Sequence, residues 1–404
     1  MRSVVVGVVG LTVLARAVAS AAVVAAGPEF QVNTYTTGTQ YAYRHAVCAS
    51  DAGDFVVVWY SVGPDGDGHG ISAQRYDRNG VPQGGEFVVN EYTTGVQRGA
   101  NVACDADGNF VVLWRGDQDP GVGVFGRRFD STGVPRGSEF RVNTYTTGAQ
   151  YRTMAAVGPT GDFVVVWASA GQDGDDQGIF AQRYTSAGTT TGGEFLVNTY
   201  TTDAQRVPVV AVGPEGDFVV VWSGEVDGTH EDVFARRFAS AGAPAGTEFR
   251  VNAYTSGAQR VPAVAYGAGG FVVTWESAGQ DGSDSAAMAA RFASDGTAIG
   301  TEFQVNTYTT DRQFYPWPAM DAAGNFVIAW AGYLQDDPGG GVFARHYDAD
   351  GLPVGTEFRV NSYTTGNQST YVAIDSDKDG DFVVVWGSDG QVPGGGYDVF
   401  AQRF

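Results

Sequence analysis

The chain has 404 residues, of which 45 are acidic and 24 basic, so its formal net charge at pH 7 is −21. Such a surface repels nucleic acid and anionic membranes, and we expect neither as a partner. Two cysteines, Cys48 and Cys104, are too few for a disulfide scaffold, and their spacing matches no metal-binding motif. A single disulfide between them is one alternative in an oxidising compartment.

The first 26 residues have the layout of a secretory signal peptide. Arg2 precedes an apolar run, small residues follow, and cleavage would fall after Ala19 or nearer Ala26. The run is too short for a good membrane span, and no later segment approaches the necessary length. We expect residues 1–26 to be removed and residues 27–404 to form one secreted, soluble, monomeric domain without membrane insertion.

One segment recurs seven times along the rest of the chain. Its Phe, in a Glu-Phe pair, recurs at Phe30, Phe87, Phe140, Phe195, Phe249, Phe303 and Phe358. A period of this size is typical of solenoids, propellers and arrays. Each repeat predicts four short strands, which in the third copy are "TMAAV" (a), "DFVVVW" (b), "IFAQRY" (c) and "EFLVN" (d).

The alternation of apolar and polar side chains indicates how deeply each strand is buried. Strand b is apolar on both faces, whereas strand d has one polar face, so a repeat cannot stand alone and must be covered by its neighbours. The chain enters on a d strand and stops on a c strand at Phe404, so the first d strand can complete the last blade. This predicts an all-β, closed seven-bladed β-propeller of four-stranded antiparallel blades, with a recurring strand-b Trp packed between blades.

The face that carries the b–c loops and the d-to-a crossings has the longer, more polar loops, so we expect any site there. Each crossing contributes a tyrosine and a glutamine, namely Tyr35, Tyr92, Tyr145, Tyr200, Tyr254, Tyr308 and Tyr363 with Gln40, Gln97, Gln150, Gln205, Gln259, Gln313 and Gln368. Aromatic faces with amides suit sugar rings. Alternatively, the tyrosines pack and the glutamines satisfy the crossing backbone.

Arginines near the start of strand a form the candidate ligand-binding set. They are Arg44, Arg98, Arg152, Arg206, Arg260 and Arg312, and Trp317 joins them because it departs from the repeat template. On an axial strand they could ring the mouth of the channel and bind an acidic polysaccharide, or pair with aspartates that hold the loops. A second recurring arginine, on strand c, is interpreted as a cross-strand ion pair with the Glu that opens strand d.

Two further constellations remain as alternatives. The loop "DSDKDGD" offers Asp375, Asp377, Asp379 and Asp381 as calcium ligands, but an Asp-Gly hairpin turn is the simpler interpretation. No cofactor other than calcium is suggested. Glu231 and Glu276 break the repeat on adjacent blades and are the candidate carboxylate pair of a glycoside hydrolase.

The repeats resemble those of secreted bacterial tandem-repeat β-propeller proteins, with a fainter likeness to FG-GAP and sialidase-type blades. The resemblance covers residues 29–404 and rests on a turn followed by "DFVVVW". It lacks the Trp-Asp ending of WD repeats and the spacing of the sialidase Asp-box, so no family's functional residues are carried over. We expect a non-catalytic extracellular binding or scaffold module for carbohydrate, another surface polymer or an extracellular protein. A glycoside hydrolase or lyase is the alternative.

Overall fold

The computed structural model describes residues 23–118, 121–225, 230–335, 339–368, 371–393 and 396–404. Most of the predicted signal peptide, residues 1–22, lies outside this part of the chain. Every regular element in the described part is a β-strand. These strands form seven antiparallel sheets of four strands, one of which has its inner strand split in two, so the predicted seven-bladed propeller is confirmed.

Within each blade the strands run a, b, c, d from the axis to the rim. The a strands are β3 (Val47–Ala49), β7 (Gln97–Cys104), β11 (Gln150–Val157), β15 (Gln205–Val212), β19 (Gln259–Gly267), β23 (Gln313–Met320) and β27 (Val372–Ser376), and β2 (Gln40–Tyr41) precedes β3 in blade 1. The b strands are β4 (Phe55–Val62), β8 (Phe110–Gly116), β12 (Phe163–Ala170), β16 (Phe218–Glu225), β20 (Gly270–Ala278), β24 (Phe326–Tyr333) and β28 (Phe382–Asp389).

The outer half of each blade follows the same order. The c strands are β5 (His69–Tyr76), β9 (Gly123–Phe129), β13 (Gln177–Tyr184), β17 (Glu231–Phe238), β21 (Ser285–Phe292), β25 (Gly340–Tyr347) and β29 (Tyr397–Arg403). The d strands are β1 (Phe30–Gln31), β6 (Phe87–Val88), β10 (Phe140–Arg141), β14 (Thr190–Leu196), β18 (Phe249–Arg250), β22 (Phe303–Gln304) and β26 (Pro353–Arg359).

The ring closes as the chain ends predict. Strand β1 pairs antiparallel with β29, with Phe30 opposite Ala401 and Gln31 opposite Phe400. The ladder continues through the Val32 amide, which donates to the Val399 carbonyl at 2.8 Å. The first strand therefore completes blade 7 and removes the free edge of an open array.

The core lies between the blades, against the doubly apolar b strands. All seven recurring tryptophans are at most 1% exposed: Trp59, Trp114, Trp167, Trp222, Trp275, Trp330 and Trp386. In three blades the indole N–H donates to the crossing glutamine, as from Trp222 to Gln205 Oε1 at 3.1 Å. Cys48 and Cys104 form a disulfide, with Cα atoms 5.6 Å apart, that links the a strands of blades 1 and 2.

The predicted ion pair between the strand-c arginine and the strand-d glutamate is wrong. Arg75 instead donates to the Thr132 carbonyl of the next blade at 2.6 Å, and its equivalents make the same kind of contact. The glutamate binds backbone as well, since Glu86 accepts from the Thr34 amide of the preceding crossing at 2.6 Å. Arg75 also donates to the Gln83 carbonyl of its own blade at 3.3 Å, so the strand-c arginine and the strand-d glutamate both fasten one blade to its neighbour. Among the described residues, no helix has the length and hydrophobicity of a membrane span.

Candidate binding cleft at the axial mouth

A bulge near the start of strand a turns side chains toward the mouth of the channel. In blades 2 to 6 the register with strand b shifts just after the second residue of strand a, as between Tyr151 and Met154 in blade 3. The residue inside the bulge takes positive φ, 50° at Arg152 and 55° at Tyr315. Bulges of this kind re-aim side chains and are common beside functional sites.

Blade 1 departs furthest from this pattern. Strand β2 pairs with Tyr60 and Ser61, and the ladder resumes only where Val47 faces Val57, so residues 42–46 leave the regular ladder. Nineteen positions separate Gln40 from Trp59, against 17 for the equivalent residues of blades 2, 3, 4 and 6. This two-residue insertion places Tyr43 and Arg44 at the axis.

These deviations create a cleft of about 210 Å³ beside the axis. We call it the axial cleft, and its larger lining side chains are Tyr43, Tyr60, Arg98, Arg115, Tyr151 and Arg152. The Arg152 guanidinium donates to the Tyr43 hydroxyl at 3.2 Å, and the Arg115 guanidinium lies 5.3 Å from the centre of the Tyr151 ring. No Asp or Glu lines the cleft in the part of the chain that the structure describes.

Like charges meet inside this cleft. Arg98 on β7 lies directly opposite Arg115 on β8, an arrangement that is unfavourable in a sheet. Burial, with a further contribution from Arg98, lowers the pKa of Arg115. Burial also raises the pKa of Tyr60, so this phenol stays neutral at physiological pH. The cleft therefore combines crowded cations with neutral aromatic rings.

The opposite side of the mouth has the reverse electrostatics. Arg260 lies opposite Glu276 in the same strand positions that Arg98 and Arg115 occupy in blade 2. Glu276 is 1% exposed, and its Oε1 lies 3.0 Å from guanidinium nitrogens of both Arg260 and Arg312. Although burial lowers the pKa of Arg312, the Glu276 carboxylate outweighs this and raises it.

Arg206 is neutralised in the same way. Its guanidinium lies 3.4 Å from Glu231 and 3.5 Å from Asp176. The six predicted arginines thus fall into two groups. Arg206, Arg260 and Arg312 are paired with acidic side chains. Among the described residues, the others are not: Arg98 and Arg152 line the axial cleft, and Arg44 lies on the axis. Glu231 and Glu276, the alternative catalytic pair, bind different arginines.

Trp317 and the crossing glutamines are buried and contact other residues of the protein. Trp317 is 2% exposed and its ring centre lies 5.7 Å from that of His45 in blade 1, so it fills the axis beneath the mouth. Burial lowers the pKa of His45, whose Nδ1 lies 2.7 Å from the Val102 carbonyl oxygen. The seven crossing glutamines are at most 1% exposed, and most donate to their own crossing, as Gln97 does to the Thr94 carbonyl at 3.0 Å.

The four aspartates of the "DSDKDGD" loop have different partners, although Asp375, Asp377 and Asp381 line one small pocket. Asp375 Oδ2 accepts the Ala49 amide of blade 1 at 2.8 Å, and burial raises the pKa of Asp375 to about 6. Asp377 accepts backbone amides of its own turn, and Asp381 lies 3.7 Å from Arg78. Within the described ranges no group of three His, Cys, Asp or Glu side chains is arranged to hold a metal ion. Asp379 contacts its neighbour Lys378.

Comparisons with known proteins support the fold. No family model and no curated protein matches the chain. Among solved structures, the polysaccharide lyase Uly1 is similar with a TM-score of 0.54 at 10% identity, covering 92% of this chain and 93% of its own. An α-L-arabinanase of Penicillium chrysogenum, complexed with arabinobiose, has a TM-score of 0.51 at 12% identity, covering 78% and 99%. A Dyadobacter fermentans protein of unknown function has a TM-score of 0.51 at 14% identity, covering 75% and 93%.

Sequence reasoning missed four of the six larger lining residues of the axial cleft, namely Tyr43, Tyr60, Arg115 and Tyr151. Tyr60 and Arg115 directly follow the strand-b tryptophan, at the position that Glu276 occupies in blade 5. Comparing that one position across the seven repeats would have found them, because it holds Tyr60, Arg115 and Glu276 in three blades and only Ala, Ser or Gly in the other four. The insertion that carries Tyr43 was visible in the sequence, because the step from Phe30 to Phe87 is the longest between consecutive Glu-Phe pairs.

Proposed function

We propose that the protein is a secreted, monomeric, non-catalytic binding module that recognises an acidic polysaccharide through the axial cleft. The observation that carries this proposal is a group of arginines, lined with tyrosine rings, in a molecule with a net charge of −21. Guanidinium groups bind carboxylates with two parallel hydrogen bonds, and tyrosine faces stack on the apolar face of a sugar ring. The acidic surface around the cleft repels this polyanion as well, so binding depends on the local group of arginines.

The lining of the cleft favours binding over hydrolysis. Glycoside hydrolysis by the usual mechanism needs two carboxylates flanking the bond, and the described lining contains none. The two fold neighbours described above as a polysaccharide lyase and an arabinanase add only an analogy of fold, because propellers host many functions. The predicted leader and the Cys48–Cys104 disulfide favour an extracellular location.

The test is calorimetric titration of the wild-type protein with polygalacturonate and with a neutral galactan of similar length. We expect binding of the acidic polymer only, weakening as salt rises. Arg98→Gln should weaken it about tenfold or more, as expected for one charge-assisted contact. Arg260→Gln is the matched control, because this arginine occupies the same strand position but faces Glu276, and it should change the affinity less than threefold.

A second variant separates binding from folding. Arg115→Glu would recreate in blade 2 the Arg–Glu pair of blade 5, so we expect a higher melting temperature together with loss of polymer binding. EDTA should leave the affinity unchanged, because the proposal needs no calcium. Equal binding of both polymers, or equal losses in Arg98→Gln and Arg260→Gln, would contradict the proposal. Release of cleaved polymer by the wild-type protein would replace it with the enzymatic alternative.

A further inference from the structure

Arg44 is a buried cation without a counter-ion. Its residue is 5% exposed, its Nε has no hydrogen-bond partner, and none of the described carboxylates lies within ion-pair distance of its guanidinium. Burying a charge costs free energy unless the charge is paired, and buried charged groups in proteins are usually paired or become neutral. By contrast, Arg206 and Arg260, on strand a of blades 4 and 5, are ion-paired.

The surroundings of Arg44 are aromatic. Its guanidinium carbon lies 4.5 Å from the ring centre of Tyr315 and 5.8 Å from those of Tyr43 and Tyr371. The rings of Tyr315 and Tyr371 are themselves stacked, with centres 5.3 Å apart. Cation–π contacts of this kind offset part of the cost of burial while leaving the N–H donors of the guanidinium unpaired. The rings therefore hold the guanidinium in place without using its capacity to bind an anion.

The space beside Arg44 is small. A cavity of about 10 Å³ lies against its side chain, enough for roughly one water-sized group. Its lining shares Tyr43 and Arg152 with the axial cleft, so the two spaces adjoin. Trp317 is also part of its lining. A ligand in the axial cleft can therefore place a single small group against Arg44, because the cavity is too small to admit more.

We propose that Arg44 forms an end-group subsite, in which it binds the carboxylate of the terminal sugar of an acidic oligosaccharide that occupies the axial cleft. The oligosaccharide part rests on the proposed function, whereas the anion-binding part rests on Arg44 alone. A planar carboxylate matches the fork of the guanidinium, and one carboxylate oxygen matches the size of the cavity. The protein would then recognise chain ends in preference to chain interiors.

The test uses three probes with the wild-type protein and with Arg44→Met: galacturonic acid, trigalacturonate and polygalacturonate. Galacturonic acid should raise the wild-type melting temperature by about 2–4 °C at a hundredfold excess over its Kd, and should leave Arg44→Met unchanged. Without ligand, Arg44→Met should melt at the same temperature or higher, because it removes an unpaired buried charge. Acetate distinguishes a general carboxylate site, which it would also occupy, from one that needs the sugar.

Competition measures the preference for ends. Trigalacturonate should compete with a labelled polymer at least tenfold better, per mole of sugar, in the wild-type protein than in Arg44→Met. Arg44→Lys serves as a second variant that keeps the charge but lacks the planar fork, and it should recover stabilisation by galacturonic acid only in part. Arg206→Met is the matched control, since this arginine is already neutralised, and it should behave as the wild type does.

The outcomes separate the two proposals. If the polymer binds but galacturonic acid stabilises neither protein, the end-group subsite is wrong and the proposed function stands. If galacturonic acid stabilises only the wild type while the polymer fails to bind, the Arg44 site stands and the polysaccharide assignment falls. If Arg44→Met melts well below the wild type and galacturonic acid has no effect on either, Arg44 is a structural residue.

Discussion

Asn33 holds the terminal strand that closes the ring, and Asn33→Ala tests how strongly. Its Oδ1 accepts from the Val399 amide at 2.7 Å, and its Nδ2 donates to Asp398 at 2.6 Å and to the Tyr35 carbonyl at 3.1 Å. The residue is 2% exposed, so water does not readily replace these partners. Two neutral bonds at about 1 kcal/mol and one to a carboxylate at about 2 kcal/mol give an expected loss of about 4 kcal/mol.

Asn252→Ala is a control with the same contacts. Asn252 accepts from the Val233 amide at 2.8 Å and donates to Asp232 at 2.7 Å and to the Tyr254 carbonyl at 2.9 Å. Its strand β18 is joined to β17 by a turn, whereas β1 reaches β29 only through non-covalent contacts. The two variants therefore lose equal bonds but differ in connectivity.

Hydrogen exchange measures the difference, with denaturant unfolding as the measure of global stability. The amides of Val32 and Val251 both donate across the c–d ladder at 2.8 Å, so they are equivalent probes. We expect Val32 in Asn33→Ala to exchange much faster than Val251 in Asn252→Ala, because a released terminal strand gains far more conformational freedom than one tethered at both ends. Equal acceleration at the two amides would refute the idea that β1 is the weak point of the ring.

Three further changes have outcomes that follow from the structure. Replacing Cys48 and Cys104 by serine should lower stability by up to about 4 kcal/mol, because the bridge closes a loop of 56 positions, and a loss below 1 kcal/mol would contradict this. Burial raises the pKa of Asp375 to about 6, above its value in the unfolded chain, so the contribution of Asp375 to the free energy of unfolding falls as pH rises from about 4 to 6. In Asp375→Asn, stability should therefore change less over this pH range, by up to about 3 kcal/mol. Glu276→Gln should lower the melting temperature, since it leaves two arginines unpaired, without weakening polymer binding.

The architecture was accessible from the sequence because it depends on a pattern that repeats. A strand apolar on both faces, recurring with a fixed period, can be covered only by its own copies, and the chain ends on complementary strands. The strand-c arginines show where this reasoning fails. Arg75 was assigned a partner within its own sheet, since pairing rules describe a flat sheet, but it reaches the turn of the next blade.

The candidate site could be predicted only in part from the sequence, because the charge of the cleft depends on pairs of facing residues rather than on single positions. Arg98 and Arg260 follow the same glutamine in their repeats and look identical in sequence. Their environments differ because the residue opposite is Arg115 in one blade and Glu276 in the other. Register across the a–b hairpin decides the difference, and the bulge hides that register from simple alternation.

Three deviations from the template lie at the axial mouth near blades 1 and 2, and each is unfavourable for the ligand-free protein. Arg98 faces Arg115, Arg44 is buried without an acid, and an insertion interrupts strand a of blade 1. The Arg98–Arg115 contact would be relieved by the Arg–Glu pair that blade 5 carries at the same positions, and the insertion is missing from blades 2 to 6, so folding alone does not account for these features. An anionic ligand would remove two of these costs at once, by pairing the crowded guanidinium groups and by giving Arg44 a partner. Because one anionic ligand would stabilise both arrangements, we assign binding to the axial cleft rather than to any of the sevenfold repeated loops.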